Sequence, residues 1–212
     1  MTLALLLASG VAWAALMPAA LWQMNETEGQ MLDSSGNGNN GTPTNVTQTG
    51  STYVFDGSTS HVPVPDADSL DPQENDITLT ARVKVNGESL DDDSYDVVRK
   101  GFVTTPGGDY KMEIKRIKAD PTVGKLHCFF RGTAKVNRVA NRDIVDGNWH
   151  TLECVKTSGS VVAKVDGKSF IQTGSAGSIA NDAGVMVGAK KADPFDDMFD
   201  GWMDYVSIDI AQ

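Results

Sequence analysis

Apolar and polar positions alternate most regularly from Ile77 to Val85, where Ile77, Leu79, Ala81, Val83 and Val85 are interleaved with Thr78, Thr80, Arg82 and Lys84. A two-residue period puts one set on each face of a pleated strand, so this run predicts a half-buried β-strand. The same period runs through residues 149–156, WHTLECVK, and residues 161–165, VVAKV, with Thr157-Ser158-Gly159-Ser160 between them and Asp166-Gly167 after. Two such runs joined by a short Gly-bearing connection predict an antiparallel hairpin. Further short strands are predicted over residues 21–26, 52–56, 96–100, 110–117, 125–131, 136–144, 185–188 and 202–210. His61-Val62-Pro63-Val64-Pro65 is extended but broken by proline, which restricts it to a sheet edge or a connection. Residues 33–41, DSSGNGNNG, are rich in residues that tolerate positive φ and predict tight turns. No stretch carries the 3.6-residue period of an amphipathic helix. The pattern predicts an all-β chain, a two-sheet antiparallel sandwich, and 212 residues suffice for one such domain but are short for two.

The first 20 residues differ from the rest. An apolar run begins at Leu3 and reaches Pro18, and Ala12-Trp13-Ala14 offers a small-x-small cleavage pattern. Residues 1–20 therefore read as a secretory signal peptide, residues 21–212 as the domain, and the mature protein as secreted and extracellular. No basic residue precedes the apolar run, and the alternative of an uncleaved anchor is met by a run short of the ~20 residues a span needs. No membrane insertion is expected after signal removal. The formal charge of −10 argues against a nucleic-acid partner, whose phosphates need a basic footprint, while permitting calcium and neutral or basic glycans.

Two cysteines fit that address. As strand residues, Cys128 shares a face with Leu126 and Phe130, and Cys154 with Leu152. In an oxidising compartment a single disulfide is the first reading; two buried free thiols are the alternative.

Several segments, taken together in order, resemble the laminin-G-like, concanavalin A-like jelly-roll family. Leu21-Trp22-Gln23-Met24-Asn25-Glu26 followed by Asp33-Ser34-Ser35-Gly36-Asn37-Gly38-Asn39 is similar to the family's opening, and Phe55-Asp56-Gly57 to its F-D-G. Val98-Arg99-Lys100-Gly101, Asp146-Gly147-Asn148-Trp149-His150 with Val165-Asp166-Gly167, and Phe199-Asp200-Gly201-Trp202-Met203-Asp204-Tyr205-Val206 continue the match. Leu-x-Cys-x-Phe at Cys128 and Trp-His-x-x-x-Cys at Cys154 further resemble a secreted bacterial subset with one disulfide. The resemblance implies a fold shared by lectins, glycanases, lyases and adhesion modules, without implying an activity.

Catalysis finds little support in the residues. The E-x-D-x-E series of glucanases on this fold is missing, and His61, His127 and His150 form no HExxH-type pair. His150 is read as a hydrogen-bonded structural residue. For a metal, Asp204 has the parity of Trp202 and Val206, and Glu26 that of Trp22 and Met24, so both carboxylates are expected to point inward. Inward carboxylates are costly unless paired or coordinated, and Glu26, Asp204 and Asp33 meeting at one rim would make an oxygen-only shell suited to structural Ca²⁺. The alternative is that they accept backbone N–H bonds at turns. Acidic loops at Asp91, Asp92 and Asp93 and at Asp193, Asp196, Asp197 and Asp200 are read as solvated runs, with a second cation site the sharper alternative. Among aromatics that could stack on sugar rings, Trp149 and Trp202 are expected to be buried, whereas Tyr95 and Phe195, in or beside loops, are expected to be exposed ligand-binding residues. The reading is a non-catalytic binding module for a glycan or an extracellular protein, with a lectin-like role first, an adhesion role second, and a divergent glycanase or lyase third.

Overall fold

The computed structural model describes residues 17–86, 94–117 and 120–211. In chain order its strands are β1 (Met17–Trp22), β2 (Thr47–Gln48), β3 (Tyr53–Asp56), β4 (Val62–Val64), β5 (Ile77–Val85), β6 (Ser94–Lys100), β7 (Asp109–Ile117) and β8 (Asp120–Arg131). They continue with β9 (Lys135–Asp143), β10 (Trp149–Lys156), β11 (Ser160–Val165), β12 (Lys168–Thr173), β13 (Val185–Val187), β14 (Lys191–Ala192), β15 (Phe195–Asp196) and β16 (Asp200–Ile210). One short 3₁₀ turn, Asp68–Leu70, interrupts them. No helix among the described residues is long and apolar enough to cross a membrane.

Two antiparallel sheets form the sandwich. The larger runs β12-β11-β10-β5-β16-β3-β2, with β1 also paired to β16; the smaller runs β4-β13-β6-β7-β8-β9. β5 keeps its predicted alternation throughout, with Ile77, Leu79, Ala81, Val83 and Val85 all buried. From the facing sheet, Tyr110, Met112 and Ile114 of β7 and Leu126, Cys128 and Phe130 of β8 fill the same core. At roughly 25 cal/mol for each Å² of apolar surface removed from water, this two-layer burial is the main favourable term. Cys128 and Cys154 form the disulfide, with Cα atoms 5.3 Å apart, and so tie β8 in one sheet to β10 in the other. The alternative of two free thiols falls away.

Three features depart from the sequence pattern. β1 starts at Met17, four residues before the expected domain boundary, and buries Ala19 and Ala20 against the core. β12 was not predicted, because Lys168-Ser169-Phe170-Ile171-Gln172-Thr173 lies mostly exposed at the sheet edge and has no buried face to pattern it. In β16 the register shifts between Met203 and Tyr205. Such a bulge reverses inside and outside along the strand. Val206 and Ile208 therefore point to the core, while Trp202 and Asp204 lie on the outer side.

The family-like loops have local tasks. Asp33 accepts hydrogen bonds from the backbone N–H of Leu21, Ser35 and Asn39, each at 2.9 Å, and from Ser35 Oγ at 2.8 Å. Trp22 Nε1 donates to Asn39 O at 2.7 Å, which fixes that loop over the buried indole. Gly201, at φ +140°, lies so close to Lys84 that an added Cβ would stand 2.2 Å from its carbonyl oxygen, so no larger residue fits.

Candidate functional site: the outer face of the six-stranded sheet

Strands β6 to β9 bury one face and set alternate side chains on the other in cross-strand rows. One row reads Arg99, Lys111, Phe129, Asn137, and the next Asp96, Glu113, His127, Val139. A register shift between Asp96 and Val98 lets Asp96 and Arg99 share this face while Tyr95 and Val98 turn to the core. With Phe102 and Val103 from the turn after β6, and Lys190 after β13, these rows line a groove of about 610 Å³. Phe102 is 38% exposed and carries the Arg99 guanidinium 4.7 Å from its ring centroid.

The floor of the groove rests on buried charge. Asp96 has no exposed surface; its Oδ2 accepts from Arg99 Nη1 at 2.6 Å, while its Oδ1 has no hydrogen-bond donor and lies 3.8 Å from Lys111 Nζ. Desolvation lifts its pKa to about 6, against the pull of Arg99 and Lys111. Glu113 goes the other way: burial would raise it, but hydrogen bonds from His127 and Lys111 and the lysine charge hold it at about 2. Asp197, buried beside them, is raised by desolvation. One oxygen from each of Asp96, Glu113 and Asp197 lies within 4.8 Å of the others, an arrangement that could hold a metal ion. Arg99, Lys111 and Lys190 already face these three carboxylates.

Residues 56–209 match the laminin-G family described as the concanavalin A-like lectin/glucanases superfamily. The chain belongs to that family. No curated protein matches its sequence. Among solved structures, domain 4 of AbnA, a GH43 extracellular arabinanase from Geobacillus stearothermophilus in complex with arabinotriose, superposes with a TM-score of 0.68 at 18% identity, covering 92% of this chain and 93% of that one. The binding domain of Paraclostridial Mosquitocidal Protein 1 gives 0.66 at 15% identity over 93% of this chain and 49% of that one. The binding domain of botulinum neurotoxin DC in complex with SialylT gives 0.64 at 12% identity over 92% and 48%. The chain thus spans about half the length of the toxin binding domains, and at these identities the likeness is one of fold.

In this laminin-G-like domain the expected metal ligands are not brought together. Asp33 accepts backbone donors from Leu21 of β1 and from Ser35 and Asn39 of its own loop. Glu26 takes Leu32 N–H at 2.9 Å and the Tyr53 hydroxyl at 2.7 Å. Asp204, turned outward by the β16 bulge, pairs with Arg82. Among the described residues, the oxygens of Glu26, Asp33 and Asp204 do not form a group close enough to share one ion, and Asp33 and Glu26 accept backbone N–H bonds at turns, as in the alternative. Tyr95 is buried, 4% exposed, with its ring edge-on to Phe199 at 6.2 Å, because β6 begins at Ser94 and carries it inward. Phe195 is 50% exposed as expected, but it stands on β15, apart from the groove. The loop holding Asp91, Asp92 and Asp93 lies outside the described residues. Of the second acidic run, Asp197 is buried and Asp196 pairs with Lys190 at 2.7 Å, so the run is not simply solvated.

Trp149 and Trp202 also depart from expectation. Both lie half-buried on the outer face of the larger sheet, flanking Lys84 in register. Arg82 covers Trp149 at 4.7 Å and Lys84 covers Trp202 at 5.0 Å, so each indole has a face occupied by a cation. His150 is structural as read: Nδ1 meets Asp166 and Nε2 meets Asp146, both at 2.9 Å, which ties the two Asp-Gly corners together. Of the groove residues, the sequence brought up only His127, among the histidines set aside, and Arg99, within a family-like segment. The signal for the rest was the alternation itself, since Lys111, Glu113 and Lys115 are interleaved with buried Met112 and Ile114.

Proposed function

We propose that the chain is a secreted, non-catalytic carbohydrate-binding module that holds its ligand in the groove on the outer face of the six-stranded sheet. The observation that carries this reading is the groove's composition. Phe102, Val103 and Val139 offer apolar surface, over a floor that includes Phe129, beside the polar ends of Lys111 and Asn137. Sugar sites need that mixture, apolar faces for the ring and fixed donors and acceptors for its hydroxyls. The arabinotriose complex of the AbnA domain supports the class of ligand, and the disulfide supports an oxidising address.

A hydrolytic role has one observation in its favour. Asp96 and Glu113 are neighbouring carboxylates with pKa values driven apart, about 6 and about 2, the pattern of an acid and its charged partner. Burial argues against it. Asp96 has no exposed surface and Glu113 is 2% exposed, so neither reaches a glycosidic oxygen from the groove. Their work is to hold Arg99 and Lys111 in place.

A glycan array followed by calorimetry tests the proposal. Phe102→Ala and Asn137→Ala are expected to weaken binding by about tenfold or more with the melting temperature unchanged, and Trp149→Ala to leave it intact. An array without hits overturns the carbohydrate reading. Binding lost in Trp149→Ala and kept in the groove variants moves the site to the other sheet.

A further inference from the structure

The charges beneath the groove do not pair off evenly. Asp96, Glu113 and Asp197 come from three segments, β6, β7 and the chain after β15 begins, and the Asp96 backbone N–H donates to Asp197 O at 3.0 Å to join two of them. Arg99 donates to Asp96 Oδ2 at 2.6 Å, while Lys111 and His127 meet the two oxygens of Glu113. Lys190 reaches Asp197 only at 3.5 Å and sits closer to Asp196, at 2.7 Å.

The shortfall falls on one atom. Asp96 Oδ1 belongs to a residue with no exposed surface and accepts no hydrogen bond; Lys111 Nζ stands 3.8 Å away. A buried carboxylate oxygen in that state is costly, and such atoms in native proteins regularly mark the place of a water or an ion. Oδ1 is turned into the cluster, because the ammonium it faces is the one bound to Glu113 Oε2. Burial, with the charges of Glu113 and Asp197, pushes the Asp96 carboxyl up to about 6, the direction expected of a site short of positive charge.

We infer that Asp96, Glu113 and Asp197 form a binding site for a hard divalent cation, with Ca²⁺ the best fit, which the ion enters by displacing the Lys111 ammonium. The donors are oxygens alone, which favours hard cations over zinc or copper. One oxygen of each lies within 4.8 Å of the others, no more than the ~4.8 Å diameter of a Ca²⁺ shell, whereas Mg²⁺ at about 2.1 Å calls for a tighter set. Lys111 can give way, since its side chain is 16% exposed at the groove floor and ends on a flexible four-carbon stem. A divalent ion replaces one charge by two, and its remaining positions take water from the groove. The trio is built on the smaller sheet, whereas Glu26, Asp33 and Asp204 belong to the larger sheet and its loops. Such a site is independent of whether the groove holds a sugar.

Calorimetric titration of the chelator-treated full chain with CaCl₂, MgCl₂, MnCl₂ and ZnCl₂, with a melting curve at each endpoint, tests this. Ca²⁺ is expected to bind at about 0.1–1 mM, the range of extracellular modules, and to raise the melting temperature. Asp96→Asn should weaken binding about tenfold or more, and Asp197→Asn, which leaves Arg99 paired, should do the same. Lys111→Met should tighten it about tenfold by removing the competing ammonium, a gain that a site elsewhere would not show. Asp204→Asn should leave the affinity unchanged. Mn²⁺ or Mg²⁺ ahead of Ca²⁺ with the same variant pattern supports the site and reassigns the ion. No binding at about 10 mM Ca²⁺ overturns the inference, as does binding lost in Asp204→Asn but kept in both Asp96→Asn and Asp197→Asn. Zn²⁺ held more tightly than Ca²⁺ overturns the oxygen-only shell in favour of His127. Affinity unchanged in Lys111→Met overturns the exchange of ammonium for ion.

Discussion

Asp96 is the residue under most tension, a carboxylate with no exposed surface and one oxygen lacking a hydrogen-bond donor. Its folded pKa of about 6 lies above the ordinary 3.8, because desolvation outweighs Arg99 and Lys111. Folding therefore favours the protonated form between those values. As pH falls from 7 towards 4, the folded state takes up this proton before the unfolded state does, so Asp96 contributes a rising stability on acidification. Glu113 has the opposite sign: held at about 2, it stabilises above its ordinary 4.5 and loses that contribution as pH falls towards 2. Comparing wild type with Asp96→Asn isolates the Asp96 part together with its interaction with Glu113. The melting temperature of wild type minus that of Asp96→Asn is expected to increase steadily from pH 7 to pH 4. A difference flat across that window would mean that Asp96 titrates normally and that the site is wetter than its burial indicates.

At the scale of elements, the sequence was most legible where one sheet face is dry along its whole length. β5 and β10 fall on their predicted boundaries because every second residue from Ile77 to Val85 is drawn into the core, and the same holds for His150, Leu152 and Cys154. Legibility failed at bulges. Single extra residues in β6 and β16 leave no mark in composition, yet they reverse the side on which Asp204 stands and bring Asp96 and Arg99 to one face. Residues far apart in sequence were also beyond reach, as Asp197 meets Asp96 only because the chain after β13 folds back over β6. The first strand shows how a patterned apolar run can serve two ends. Residues 1–20 read as a leader, but Met17, Pro18 and Ala20 pair with Ile210, Asp209 and Ile208 of β16. We propose cleavage after Ala14, at Ala12-Trp13-Ala14, which leaves β1 whole. Chains beginning at residue 15 and at residue 21 compare the two boundaries. The shorter should lose about 2 kcal/mol or more, from broken ladder bonds and exposed core, in urea unfolding. Equal stability, or an amino terminus mapped to residue 21 by mass spectrometry of the exported protein, would return the boundary to its expected place.

For the whole molecule, one disulfide joins two layers that are otherwise held by side-chain packing and by polar contacts such as Arg142 with Asp166. The groove lies on the outer face of β6 to β9, and Cys128 on β8 anchors the inner face of that sheet to Cys154 on β10. The bridge closes a loop of 26 residues, for which chain entropy gives roughly 3 kcal/mol of stabilisation through the unfolded state. Both half-cystines are fully buried, so replacement by serine would put unpaired hydroxyls in the core and confuse the measurement. Cys128→Ala with Cys154→Ala removes the link with less polar disturbance. It is expected to lower the melting temperature by roughly 6–12 °C for a chain of this size. The denaturant slope m should rise at the same time, because the unlinked unfolded chain exposes more surface. That second observable separates the two sources of the loss. A fall in stability with m unchanged would assign the effect to the cavity left by the sulfurs, and no fall at all would mean that packing across the sandwich holds the groove's sheet in place without the bridge.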